Sequence, residues 1–347
     1  MSNLSLMALE HQRKRNELSE RAARKAARLW RSIQATDIDA GWDRIAPQLE
    51  QLVASAQLAA ATPAPRYTAA AFAAQDMAAS SGQIIPQAFT GATLEGRAVV
   101  PELYSAATTT KTLIGRGVGV GAAFQVGTGL MALLASQMVR DAGNMADKVS
   151  SVGRGTVQMA RVLSPGACSR CAILAGAGNF TKHFERHPSC RCTTVPIRSG
   201  EAVPDGIFDS AGAYFNSLTD AEQNRIFTKS GAEAIRLGAS ETSVVNARRG
   251  MYRTTQPGSL VSRATPRIII GPDGKPFTAY TTVEGTSVRG WYGAGRGGSV
   301  TSNQFVRSSA DRYRRTTSVR LMPETILSIA TDQEDAVRLL REFGYLP

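Results

Sequence analysis

Every cysteine of this 347-residue chain, and two of its three histidines, fall in one stretch, SPGACSRCAILAGAGNFTKHFERHPSCRCTTVPI, residues 164–197. No other feature constrains the chain so tightly, because four thiols and an imidazole that close together must either cross-link or share a metal ion. Cys168-x-x-Cys171 has a knuckle spacing: two intervening residues let both sulfurs face one ion from a tight turn. The second half, His187-Pro188-Ser189-Cys190-Arg191-Cys192, repeats that spacing between His187 and Cys190 and adds a Cys-x-Cys pair, whose side chains point the same way in an extended segment. Tetrahedral zinc takes four such ligands, at about 2.3 Å for sulfur and about 2.0–2.1 Å for nitrogen.

Five candidates therefore compete for four places. Cys168, Cys171, His187 and Cys190 form the preferred set and Cys192 is the main alternative; His183, farther back, stands outside these five as the weakest candidate. Pro188 fixes the backbone between ligands and lowers the entropy lost on closure. Two disulfides are the competing account. The first thirty residues contain no continuous apolar run of the kind a secretory signal needs, so the chain is expected to stay in a reducing compartment, which favours metal. A catalytic thiol is disfavoured, since nucleophile and histidine base come from separated parts of a fold. The expectation is one structural zinc per chain with every coordination position filled.

Around this loop the pattern predicts an α+β protein: a helical, Ala-rich N-terminal region, the zinc-knuckle-like Cys/His loop, and a mixed C-terminal part with a β-hairpin and terminal helices. Residues 4–34 read as one charged helix with sparse apolar points at Leu4, Leu18, Leu29 and Ile33, a solvated arm or a helix waiting for a partner. A second helix follows, capped by Asp39, with Trp42, Ile45, Leu49, Leu52 and Val53 at helical spacing, and a third spans Tyr67 to Ala79. Gly117–Val139 carries no charge and is long enough for a bilayer, but its five glycines and two glutamines favour a buried helix pair with close backbone approach. The Gly-x-Gly-x-x-Ala match at Gly117 lacks a strand–helix–strand setting and does not mark a dinucleotide site.

After the loop, Thr219 with Gln223 opens a short helix and Gly238 closes the next. A Gly-Pro-Asp-Gly turn predicts a hairpin between the Ile268–Ile270 run and Tyr280–Val283. Pro323 and Thr331 start two terminal helices. The expected divisions are 1–105, helical; 106–163, Gly-rich and apolar; 164–250, the Cys/His loop with helices; and 251–347, basic α+β.

The net charge of +12 points to anionic partners. From Arg248 to Arg320 there are 13 Arg or Lys against 3 Asp or Glu, mixed with Gly, Ser and aromatics including Trp291, Tyr292, Phe305 and Tyr313. Arginine forks bond two phosphate oxygens at once and rings can stack on bases, so Arg248, Arg249, Arg312, Arg314 and Arg315 are the expected contacts to nucleic acid or to an acidic protein partner. Any DNA contact of this kind would be independent of sequence.

The run Cys-x-x-Cys, a loop, RHPSCRC and then VP resembles the signature of the Mu F-like minor head proteins of tailed bacteriophages. LWRSIQATDIDAGWDRIAPQLEQLVASAQ, VVNARRGM, RLMPETI and EDAVRLLREFGYL are similar to segments of minor capsid proteins of actinobacterial phages, and these are scattered over nearly the whole chain. The resemblance implies a virion component made in few copies, assembled in the host cytoplasm at the portal vertex. Portal and head proteins would be its partners, with the packaged double-stranded DNA as a further contact; separately, the glycines and glutamines of Gly117–Val139 argue against a membrane partner. It implies no enzymatic activity. The alternative is a zinc-containing DNA-processing enzyme or a toxin-like effector carried in the head, but outside the loop His11 is the only histidine, and no triad or Walker loop is present.

Overall fold

The computed structural model describes residues 3–78, 80–155, 158–179, 190–198, 203–253, 269–270, 276–277, 279–296, 305–306, 314–316 and 320–347. In chain order the elements are α1 (Asn3–Arg31), α2 (Ile38–Ala61), α3 (Ala64–Ala73), α4 (Val99–Gly115), α5 (Val120–Gly153), β1 (Gln158–Val162), the single turn α6 (Ser169–Ala172), β2 (Ala177–Asn179) and β3 (Thr193–Ile197). The C-terminal part continues with α7 (Ala211–Asn216), α8 (Asp220–Phe227), α9 (Lys229–Arg236), α10 (Glu241–Ala247), β4 (Tyr252–Arg253), β5 (Ile269–Ile270), β6 (Pro276–Phe277), β7 (Tyr280–Thr282), α11 (Trp291–Arg296), β8 (Phe305–Val306), β9 (Arg315–Thr316), β10 (Arg320–Leu321), α12 (Pro323–Ile329) and α13 (Gln333–Glu342). The protein is mostly helical with small sheets, broadly α+β. It forms two compact units, residues 1–210 apart from the segment Cys168–Ile173, and residues 211–347 with that segment.

The first unit is a helical bundle built on α5, against which α1, α2, α3 and α4 all pack. Its main core joins Trp30, Ile33, Trp42, Ile45, Leu49, Val53, Leu103 and Met131. The α2 residues are the ones whose spacing predicts a buried stripe, although the cap is Asp37, whose side chain accepts from the Ala40 amide, and not Asp39. Asp39 instead accepts from Lys111 Nζ at 2.7 Å and from the Tyr104 hydroxyl at 3.0 Å. The third helix starts earlier and stops earlier than its composition suggests, at Ala64 and Ala73.

Two expectations about the bundle are corrected. Of the two alternatives for helix α1 the solvated arm falls and the helix with a partner stands: Leu4, Ser5, Ala8, Gln12, Arg15, Ser19, Ala22, Ala26, Ala27 and Trp30 are all buried on it, and it packs on α5 and α2. Ser5, Gln12, Ser19, Ala26 and Ile33 recur every seven residues, as do Ala8, Arg15, Ala22 and Leu29, the two rows of a close-packed helical seam. Before Leu29 and Ile33 at its end, that seam is made of small and polar side chains, so it leaves little apolar signal. The uncharged segment is likewise no helix pair. A turn at Arg116 and Gly117 ends α4, and a single 34-residue helix, capped by Gly119, runs on from Val120.

Close backbone approach is found at Gly127 of α5, where a Cβ would lie 2.2 Å from Thr110 Oγ1 and 2.8 Å from the Trp30 ring. Among the described residues, α5 is the one helix long and apolar enough to cross a membrane; here its inner face lies against four other helices.

A small antiparallel sheet of order β2-β1-β3 closes the first unit, with Ala160 opposite Val195 and Val162 opposite Thr193. Its inner face, Ala160, Val162, Val195 and Ile197, packs with Leu4, Ala8, Tyr67, Ala71 and Ile207. This register places the site. The end of β1 lies beside the start of β3, so the chain leaving β1 toward Cys168 and the chain entering β3 from Cys192 are at the same end of the sheet.

In the second unit Thr219 caps α8 as expected, but its reciprocal partner is Glu222; Gln223 is buried and donates to the Phe215 carbonyl at 3.0 Å. Gly238, at φ +97°, ends α9 in the conformation that glycine adopts without a Cβ penalty. Pro323 opens α12, while α13 is capped by Asp332, one residue beyond the expected Thr331. Strand β5 pairs with β6, not with the Tyr280 run, which instead lies between β10 and β4. The Gly-Pro-Asp-Gly turn lies outside the described residues.

Candidate metal centre

The sulfurs of Cys171, Cys190 and Cys192 lie within 4.8 Å of one another, and all three residues are buried at 2 % exposure. Each half of the motif reaches this point by simple local geometry. After β1, the chain turns at Ser164–Ala167 and α6 follows its N-cap Cys168, whose carbonyl accepts from the Cys171 amide at 2.9 Å. One helical turn therefore separates the two residues, leaving Cys168 exposed while Cys171 points inward. Before β3 the chain is extended, so Cys190 and Cys192 both face inward and Arg191 between them faces out. Among the described residues no disulfide joins these cysteines.

Thiolates in tetrahedral coordination at about 2.3 Å from an ion sit about 3.8 Å apart, a spacing below the 4.8 Å that bounds the three sulfurs. The three residues can thus bind a metal ion. The Ser164 hydroxyl is 4.0 Å from Cys192 Sγ, in reach to donate to a thiolate. The structure thus brings together three of the five sequence candidates, including Cys192. Cys168 is outside the three-sulfur group, and His187, like His183 and Pro188, lies outside the described residues.

Helix α1 holds the incoming strand in place. Asn16 donates to the Arg191 carbonyl at 3.4 Å, and the Arg191 guanidinium pairs with Glu20 at 2.8 Å. Two residues on along the strand, Thr193 Oγ1 accepts from Arg15 at 3.1 Å, and Arg15 also donates to Asn144 Oδ1 at 2.6 Å. Arg15 also pairs with Asp147, which is fully buried and which His11 Nε2 approaches at 3.0 Å. The His11 ring stacks on Tyr67 at 3.8 Å.

Charges so deeply buried persist only because they are matched. Burial lowers the His11 pKa; the Asp147 charge opposes that shift and Arg15 adds to it. Asp147 feels burial pushing its pKa up, but Arg15 and His11 together hold it below the ordinary carboxylate range. Nothing in the local sequence flags this network, because Arg15 and Asp147 are 132 positions apart.

The basic residues of the second unit divide into two kinds. Arg248 is half-buried, ion-paired to Glu324 and donating to Thr228 Oγ1. Arg320 is buried, donating to the carbonyls of Phe343 and Gly344 at 2.7 Å each and stacking 3.7 Å over the Tyr345 ring. Arg249 and Arg314 are exposed. Arg312 and the side chain of Arg315 lie outside the described residues. No protein-family model, curated protein or solved structure matches the chain.

Proposed function

We propose that this chain is a minor head component of a tailed-phage virion, assembled in the host cytoplasm at the portal vertex in contact with portal and head proteins, with no catalytic role of its own. The observation that carries the reading is the convergence of Cys171 with Cys190 and Cys192, because the Cys-x-x-Cys and HPSCRC segments that supply them are the motif on which the Mu F-like resemblance rests. The metal is zinc, which a sulfur-rich tetrahedral donor set suits. Bound there, it would act as a structural cross-link joining the turn after β1 to the start of β3. The fourth ligand comes from His187 or Cys168. The enzyme alternative would need a histidine and carboxylate free to act. The described pair, His11 and Asp147, is tied up by Arg15 deep in the bundle, which supports a structural role.

Mass spectrometry of purified virions and proheads, with stoichiometry against the portal protein, tests the reading. A small constant number of copies is expected; absence from both particles contradicts it. Zinc retention separates the fourth ligands: whichever of His187→Ala and Cys168→Ser loses the metal names the ligand.

A further inference from the structure

The outward face of α1 is chemically split. In its first half, cations are neutralised in place: Arg13 and Lys14 pair with Glu10 at 2.9 and 3.3 Å, and Arg13 also pairs with Glu17. From Arg21 to Arg31 the helix carries Arg21, Arg24, Lys25, Arg28 and Arg31, all exposed, and no carboxylate. Arg21 and Arg24 reach back to Glu17 and Glu20 only at 3.9 and 4.0 Å, and both acids already hold closer partners, Arg13 and Arg191. Among the described residues, Lys25, Arg28 and Arg31 have no acidic partner.

At about 100° per residue these five side chains fall within an arc of about 120° and extend about 15 Å along the axis. They lie opposite the buried seam of Ala22, Ala26 and Trp30, so the row is held on a rigid, packed helix. Arg191 joins the same side through its pair with Glu20, and it projects from between two of the clustered cysteines.

We infer that this face of α1 binds the phosphate backbone of duplex DNA without reading its sequence. A row of exposed cations, two held by carboxylates only at 3.9–4.0 Å and three with no acidic partner among the described residues, matches a regular array of phosphates, and arginine, which dominates it, bonds phosphate oxygens in pairs. The row contains no exposed ring, since the one aromatic between Arg21 and Arg31, Trp30, is buried; a surface for single strands would need rings to stack on bases. No base-reading side chain is required, because the contact is with charge. This inference deepens the head-component reading, and it rests on that reading for placing duplex DNA nearby. It assigns the contact to α1, where composition alone points to the C-terminal region.

The test uses the full chain, a short duplex of random sequence, the matching single strand and polyglutamate. If about five phosphates are neutralised, wild-type affinity for duplex falls about 500-fold between about 50 and 200 mM salt, and for K25Q/R28Q/R31Q only about 10-fold. The charge-preserving R28K/R31K retains the wild-type salt dependence, which separates charge loss from misfolding. R312Q/R314Q/R315Q removes the same charge elsewhere and is expected to leave the salt dependence unchanged. Four results overturn the inference: an unchanged slope in K25Q/R28Q/R31Q, loss carried instead by the C-terminal triple, equal binding of polyglutamate, or tighter binding of the single strand. Virion mass spectrometry is independent of these outcomes. A chain present in virions whose DNA binding ignores α1 defeats only this inference, and a chain absent from particles that still binds duplex through α1 defeats only the head-component reading.

Discussion

Helix α1 and the region from Arg248 to Arg320 are both rich in arginine, yet they use it in opposite ways. In the C-terminal region Arg248 and Arg320, the two ends of the basic stretch, are built into the second unit: one clasps Glu324, the other ties down backbone carbonyls under Tyr345. On α1 a single arginine, Arg15, turns inward to a buried carboxylate, and the last three turns send their cations to solvent. A count of charge along the sequence ranks the C-terminal region first; the structure separates charge already paired within the fold from charge available to a partner. The ranking then reverses for the described residues.

The largest effect is expected where charge is internal. Replacing Arg320 with Met leaves the Phe343 and Gly344 carbonyls buried without donors and should cost about 3–5 kcal/mol, read from urea unfolding of the full chain. Arg320→Lys should rescue little, because one ammonium cannot reproduce the planar fork. Arg15→Leu tests the inward arginine of α1. It leaves the buried Asp147 carboxylate with His11 but without its permanent cation, and a loss of about 3 kcal/mol or more is expected. A loss below about 1 kcal/mol would mean that the buried network does not hold α1 in place.

Acid should weaken the same network. The folded pKa of His11 lies below its ordinary 6.5, so the unfolded chain takes up a proton that the folded chain refuses, and stability present above pH 6.5 is lost as pH falls below it. Asp147, held below its ordinary 3.8, adds a second loss in the range under about pH 3.8. Between pH 6.5 and 5 the His11 contribution is at most about 2 kcal/mol. His11→Gln should flatten the dependence of Tm on pH across that window, and an undiminished slope would place the titrating group elsewhere. The smallest effect sharpens the contrast: Arg28→Gln and Arg31→Gln on the outer face should each change stability by no more than about 0.5 kcal/mol. A larger loss would show that these side chains are structural after all.

Much of the fold can be read from residues whose role is local. Trp42, Ile45, Leu49 and Val53 announce the buried stripe of α2, Thr219 and Gly238 mark helix ends, and the Cys-x-x-Cys and Cys-x-Cys spacings mark the site. What escapes such reading is set by distant partners. The α1 seam uses Ser5, Gln12 and Ser19 where an apolar pattern would use leucine, and its logic appears only once α5 is laid against it. The β1–β3 pairing spans the whole cysteine loop, and β7 is paired by β4 and β10, whose positions in the chain give no turn signal linking them to it. The choice of Cys192 over the exposed Cys168 in the three-sulfur group follows from the same cause, since the extended entry into β3 turns both Cys190 and Cys192 inward.

The metal content of the full chain, purified under reducing conditions without added metal, tests the central claim most directly. About one zinc per chain is expected, lost together with local folding in Cys171→Ser and in Cys192→Ser, because metal binding and closure of the loop are one process. A chain that carries no metal, with two disulfides formed in protein kept reduced until lysis, or a Cys192→Ser variant that keeps its zinc in full, would contradict it.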